Sequence, residues 1–553
     1  MKPLTTIALA LVIVASSLGV IHVSQNRMND MRGELTDAPP LENAPPELSL
    51  FVVVLGGFRG LLADVLFLRS QRMQEQERYF ELVQLANWVV DLQPRFTGAI
   101  SFLAWNMSYN ISVNFSSPPE RWRWVQRGYE LIRDNAIPLH PDDPELYWEL
   151  GWIFQHKMGM NLDNAHQTYK TQLALQMMQT LGSEEFDWDA LAAAPRDYES
   201  FLLSLGDEAE NFQRILATQD LSFRQFEHNF RNDRGAVPEA IAVDLEKRGI
   251  TESTDIFLRA TWLRERMKMD PVVIKEILDR YGWLDFRLPD AHAIYWASIG
   301  LKHAEGEMNV KCDRMINQSL KSAFDQGLLL FASDRELRPQ FAPNLKLADA
   351  LRDLYLSTMD RYPQNNSFRS AFENHMVDAI VRLYLYGKKK KAAEYLDFMS
   401  KHPSFRANPR FHQPLEFFVI GETEEDIRDA GQEQANSIVQ SFIMQTFGAL
   451  AYRQYDQATV ADQLGRRAHA VYSNGISSTG ADNVRRGLDP YDVMAQRLLD
   501  YLRQQNPNFG QIIDEELALQ KGEEPPSRPV VEPEEGDARE IESSRLQLQD
   551  DGR

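Results

Sequence analysis

Apolar positions recur at helical spacing from Gln71 to about Gly182 and again from near Thr254 onward, which predicts helix after helix and almost no strand. The most specific stretch runs from Leu82 to Phe154, where one pattern occurs twice. Six residues after Pro94 stands Ile100-x2-Leu103-Ala104-x2-Met107, and six after Pro141 stands Tyr147-x2-Leu150-Gly151-x2-Phe154. The small residue, Ala104 or Gly151, lets two helix backbones approach, while the large residues fill the space around it. Ala293-x2-Trp296-Ala297-x2-Gly300 repeats the pattern in part, and Pro289 and Asp290 suit the first turn of the helix carrying it.

The intervening segment 183–253 is richer in charge and has no repeat. It reads as a helical insertion or connector, with a helix over Asp207 to Gln219 and a turn from Asp233 to Pro238. Farther on, Gly387, four lysines and Ala392-x3-Leu396, closing at Pro403, look like a turn and a second helix. Tyr455-Asp456-Gln457-Ala458 is a weaker echo, so helical repeats are expected over 254–506. Residues 507–553 are rich in Pro and Glu and lack the apolar content for a core, which predicts a disordered acidic tail.

The amino terminus has a different pattern. Lys2 precedes an uncharged run, Ile7 to Val23, within 1–24, which is either a signal peptide or, as its continued apolarity favours, an uncleaved signal anchor. Residues 25–47 are acidic and carry Ala-Pro-Pro twice, a stiff spacer in extended polyproline geometry. Leu48 to Leu68 is apolar but contains Arg59 and Asp64. It is a second span, a membrane-surface helix or the first buried helix of a body covering 48–182. With one span, the body lies outside the cytoplasmic membrane; with two, it returns to the cytoplasm.

The net charge of −21, from 59 basic and 80 acidic residues, argues against nucleic acid, whose phosphates need clustered Lys and Arg. The single cysteine, Cys312, excludes an intrachain disulfide framework and reads as buried filler. No phosphate loop and no G-x-S-x-G, H-E-x-x-H or paired catalytic-carboxylate motif stands out, so neither catalysis nor a cofactor is expected. The one metal candidate is Asp163-x2-His166 with His156 about two turns earlier. An i, i+3 pair shares one helix face, but di-metal helical sites need several such pairs. His292 and His303 read as core histidines.

The doubled pattern resembles the front half of a tetratricopeptide (TPR) repeat, W-x2-L-G-x2-Y. Leu82-x3-Ala86 before Pro94 and Ala165-x3-Tyr169 resemble its back half, although the two signatures lie 47 residues apart. The broader chain resembles bacterial envelope proteins with an N-terminal anchor and TPR-like repeats. This resemblance implies an all-α, degenerate TPR-like solenoid serving as an interaction scaffold at the bacterial inner membrane, with a protein or peptide partner. It also implies a concave groove, placed here at Ser101, Trp105, Ser108 and Tyr109 in one repeat and Trp148, Trp152, Gln155 and His156 in the next. Flat rings with polar tips suit an extended segment. The alternatives are an accessory subunit of a membrane transporter or secretion complex, engaged through Leu48–Leu68, and a helical metal protein or enzyme using His156, Asp163 and His166.

Overall fold

The computed structural model describes residues 58–522 except 77, 79–80, 83, 86–87, 90–96, 183–186, 334–335, 430–431, 477–486 and 506. The expected anchor 1–24 and spacer 25–47, residues 48–57, Pro94 and residues 523–553 of the expected tail lie outside the described residues. Among the described residues the protein is all-α apart from one antiparallel hairpin, and it divides into two compact units, the first ending at Pro363 and the second beginning at Gln364. No described helix is long and apolar enough to cross a membrane.

The first unit opens with α1 (Phe58–Glu75) and α2 (Thr97–Trp105), which continues as a π-helix over Asn106–Ile111. Next come α3 (Pro118–Glu130) with a π-helix over Leu131–Ala136, α4 (Pro144–Trp152) with a π-helix over Ile153–Gly159, and α5 (His166–Leu181). Local chemistry sets the starts. Pro118 and Pro144 occupy first-turn positions that need no N–H, and the Asp143 carboxylate accepts from the Glu145 N–H at 2.9 Å. The signature residues Ile100, Leu103, Ala104, Met107, Tyr147, Leu150, Gly151 and Phe154 are all buried.

The segment read as an insertion folds as α6 (Trp188–Ala193), α7 (Tyr198–Leu205), α8 (Ala209–Thr218), α9 (Phe223–Asn232) and α10 (Glu239–Arg248), leading into α11 (Thr251–Trp262). It has a core of its own around Phe201, Phe212, Phe226, Phe230, Phe257 and Trp262. Ser222 and Gln225 close a reciprocal capping box at the start of α9.

The unit continues with α12 (Pro271–Tyr281), α13 (Pro289–His303), α14 (Glu307–Gln326), the hairpin β1 (Leu328–Ser333) and β2 (Glu336–Ala342), and α15 (Ala348–Arg361). Helix α13 is buried nearly all round because α4 packs on one side and α14 on the other. A Cβ on Gly151 would lie 2.6 Å from Met315 Sδ and 3.4 Å from the Ala293 carbonyl oxygen. One on Gly300 would lie 3.0 Å from Tyr147 Cβ. Helices α4 and α13 therefore cross antiparallel through small residues at both ends of the contact. The other small signature residue, Ala104, meets α3, where a Cβ on Gly128 would come within 2.7 Å of the Ala104 carbonyl oxygen. A buried Asp285–Arg287 ion pair (2.8 Å) fixes the hairpin, with Arg287 donating to the Leu329 carbonyl at 3.0 Å.

The second unit comprises α16 (Asn366–Leu385), α17 (Lys389–Lys401), α18 (Leu415–Asp429), α19 (Gln432–Ala451), α20 (Tyr455–Ile476), α21 (Tyr491–Gln505) and α22 (Pro507–Lys521). Gly387, at φ +73°, makes the left-handed turn between α16 and α17, where the lysine run begins a helix. Helix α22 corrects the expected tail boundary: residues 507–521 are helical and packed. Ile513 is fully buried, and the buried Glu516 accepts from Arg453 at 2.8 Å and Tyr455 at 2.6 Å.

Candidate functional site

Helical spacing places Trp105 and Tyr109 one turn apart on α2 and its π extension, and Trp148, Trp152 and His156 one turn apart on α4 and its own. The rings form one continuous ladder. Trp148 stacks on Trp152 with centroids 5.4 Å apart, and Trp152 on His156 at 4.7 Å and 12°. His156 meets Tyr109 across the helix interface at 5.7 Å, and Tyr109 stacks on Trp105 at 5.6 Å. Phe102 and Phe67 of α1 extend the series, with spacings of 6.4 and 5.6 Å. The rungs are not core: Trp105 is 38% exposed, Phe102 also 38%, and Tyr109, Trp148, Trp152 and His156 are half-buried.

The interhelical step is also a hydrogen bond, with Tyr109 Oη 3.2 Å from His156 Nδ1. Burial and the neighbouring Lys157 push the His156 pKa down, which favours a neutral ring there. Burial, with Glu149 nearby, raises the Tyr109 pKa above its ordinary value, so the phenol keeps its proton. The other three residues placed in the groove lie within the helix packing. Ser101 and Ser108 are buried, Ser108 against Gly128, whose missing side chain brings α3 down onto it. Gln155 is buried and donates to the Met315 carbonyl (3.1 Å) and Ser319 Oγ (2.8 Å) of α14.

Beside the Tyr109–His156 step opens a cleft of about 260 Å³, lined by Tyr109, Val113, Arg121, His156, Lys157, Leu162, Asp163 and Asn164. Its polar groups bind one another. Asp163 accepts from Lys157 at 2.6 Å, Arg121 at 3.0 Å, Tyr169 at 3.0 Å and the Ala165 N–H at 2.8 Å. Burial opposes its ionisation, but these donors, led by Lys157, hold the carboxyl down to about 2. No family model, curated protein or solved structure matches this chain. The site must therefore be read from its own geometry.

That geometry corrects the metal candidate. Asp163 lies in the turn before α5 rather than on a helix, so the expected shared face with His166 does not form, and both carboxylate oxygens already face cations. Among the described residues no group of three or more His, Cys, Asp or Glu converges to hold a metal. His292 is core, its Nε2–H donating to the Phe286 carbonyl at 2.9 Å, and burial pushes its pKa down to about 4. His303 is instead exposed at the end of α13, 3.3 Å from Asp142. Cys312 is fully buried, and burial raises its thiol to about 12.

Sequence reasoning missed Phe67, Phe102, Arg121 and Lys157. Phe102 and Trp105 share an i, i+3 relation that could have signalled the longer stripe. Arg121 meets Asp163 across 42 positions, a pairing without a local spacing signal.

Proposed function

We propose that this protein is a membrane-tethered helical scaffold of TPR-like build that grips an extended, largely apolar segment of a partner protein along the aromatic ladder. The reading places it at the bacterial inner membrane, anchored through Ile7–Val23, with the body outside the cytoplasm. The observation that carries the binding role is the half-exposed series of seven rings running unbroken from Phe67 to Trp148. Contiguous exposed apolar surface of this kind marks interaction sites. Rings spaced 4.7 to 6.4 Å apart suit an extended chain, in which every second side chain advances about 6.2 Å in polyproline geometry. Flat rings bury much area at small rotamer cost.

The test is photo-crosslinking from a probe residue at Val113, beside the ladder, against one at Leu203 on α7, in cells making the full chain. The same partner should be captured only from the Val113 position, and Trp105→Ala should abolish that capture. Equal capture from both positions, or capture indifferent to Trp105→Ala, refutes the reading.

A further inference from the structure

We propose that the ladder and the cleft beside it are occupied, in the partner-free protein, by the chain's own acidic spacer. The Ala-Pro-Pro triplets 38–40 and 44–46 lie along the ladder, and Glu42 between them enters the cleft. A partner then binds by displacing this segment. The inference rests on the ladder being the binding surface and adds how access to it is controlled.

The cleft carries one more positive charge than it neutralises. Arg121 and Lys157 share the single carboxylate of Asp163, and no other acid among the described residues lines the cleft. Arg121 Nε donates to the Phe115 carbonyl at 2.6 Å and Nη1 to Asp163 at 3.0 Å, which fixes the guanidinium in place. Its Nη2 makes no hydrogen bond among the described residues, nor does the exposed Asn164 amide in the same lining. A carboxylate is the group that completes such a fork. Exposed Val113 and Leu162 also line the cleft and are apolar neighbours for Leu41, beside Glu42.

The spacer matches in charge, spacing and reach. Residues 33–47 hold Glu34, Asp37, Glu42 and Glu47 and no Lys or Arg. Ala38 and Ala44 stand six residues apart, which is about 18 Å in polyproline geometry. The ring spacings from Trp105 through Tyr109 and His156 to Trp152 are 5.6, 5.7 and 4.7 Å, a path of about 16 Å. The proline pairs therefore reach Trp105 and Trp152 while Glu42, midway, meets the Tyr109–His156 step where the cleft opens. Stacked rings present their edges, with furrows between them, and a Pro-rich segment docks in an aromatic-lined groove of that kind without needing a free ring face. Glu42 stands sixteen residues before Phe58, the start of α1, a reach of about 50 Å. From Phe58 to Tyr109 is about 40 Å at most, through nine residues of helix to Phe67 and ring spacings of 5.6, 6.4 and 5.6 Å. A short tether holds the segment at an effective concentration of about a millimolar, so weak contacts suffice.

The experiment places benzophenone-alanine at Val113 in the purified full chain, in detergent and at high dilution. Irradiation should link Val113 to the chain's own tryptic peptide Gly33–Arg59, with fragmentation placing the bond within 38–46. Glu42→Gln, in the spacer and so harmless to the helical body, should lower that yield about tenfold, the worth of a charge-assisted hydrogen bond. Glu34→Gln should leave the yield unchanged, and added salt should lower it. In cells, Glu42→Gln should raise partner capture from Val113 several-fold. No link to 38–46, a link formed only between two copies of the chain, or equal effects of the two Glu→Gln changes overturns the self-docking. Partner capture from Val113 that still depends on Trp105 then leaves the ladder reading standing. If Trp105→Ala changes neither the intrachain link nor partner capture, both readings fall.

Discussion

Replacing Trp105 by alanine separates a binding surface from a structural one, and Trp296 supplies the control within the same unit. Trp296 is 3% exposed on α13, against 38% for Trp105. Truncating a buried tryptophan costs about 3–5 kcal/mol, and Trp296→Ala should fall in that range. Trp105 has less area to lose. Its ring stacks on Tyr109 at 5.6 Å and meets Phe102 at 6.4 Å, contacts worth about 0.5–1.5 kcal/mol beyond area. Trp105→Ala should therefore cost about 1–2 kcal/mol of stability, yet remove about 2 kcal/mol or more of partner affinity. Thermal melts followed by far-ultraviolet circular dichroism read the first quantity. The two variants should differ by about 3 °C in Tm if about 2 kcal/mol separates them in a unit of this size. An equal fall for both would mean that Trp105 is a structural residue and that the ladder is part of the core.

Three further outcomes follow from the packing and electrostatics. Gly128→Ala should destabilise by about 1–3 kcal/mol, because its new methyl meets a backbone carbonyl at 2.7 Å. In contrast, Gly151→Ala should be nearly neutral, since the Met315 thioether can move aside and alanine gains about 1 kcal/mol in a helix interior; urea midpoints compare the two. Asp163 titrates at about 2 in the folded chain against 3.8 ordinarily, so its contribution is present above 3.8 and is lost as pH falls towards 2. Asp163→Asn strands the buried Lys157 and should cost about 3–5 kcal/mol at neutral pH, measured by denaturant unfolding. Burial, helped by Glu145 and opposed by Lys311, lifts Glu149 from 4.5 to about 7. The folded chain then holds more protons than the unfolded one in that window, and stability falls as pH rises through it. Glu149→Gln should flatten this slope in melts taken from pH 4.5 to 7.

Periodicity made the buried faces legible and left their partners open. Leu103, Ala104, Leu150 and Gly151 were readable as core because a helix must bury its apolar stripe. What covers Gly151, however, is α13 and α14, and no local pattern carries that pairing. The ladder was half legible: Trp105 with Tyr109 and Trp148 with Trp152 are i, i+4 neighbours, whereas the Tyr109–His156 step depends on how two helices dock. The placement of Ser108 and Gln155 failed for a related reason. Both sit on π segments, where i→i+5 bonding changes the angular position of each side chain from that of a regular helix. Composition misled at the tail, because the Glu-rich stretch beyond residue 522 obscured the apolar face of Phe509, Ile513 and Leu517.

Helix α4 joins the core of the first unit to the ladder through adjacent residues. Gly151 faces inward and lets the backbone settle against Ala293 and Met315, while Trp152 faces the ladder. One turn later, buried Gln155 is bonded to Met315 and Ser319 of α14, and its neighbour His156 carries the step to Tyr109. Three of the seven rungs, Trp148, Trp152 and His156, are therefore carried by an element clamped from behind at Gly151 and Gln155, not by a loop. Rings held this way lose little further freedom when a ligand lies on them, so affinity would come from pre-organisation and not from folding on contact. The clamp also makes Gly151 and Gln155 positioning residues. A change at either that leaves the rings in place should spare binding, and one that shifts α4 along α14 should break the Tyr109–His156 step and divide the ladder in two.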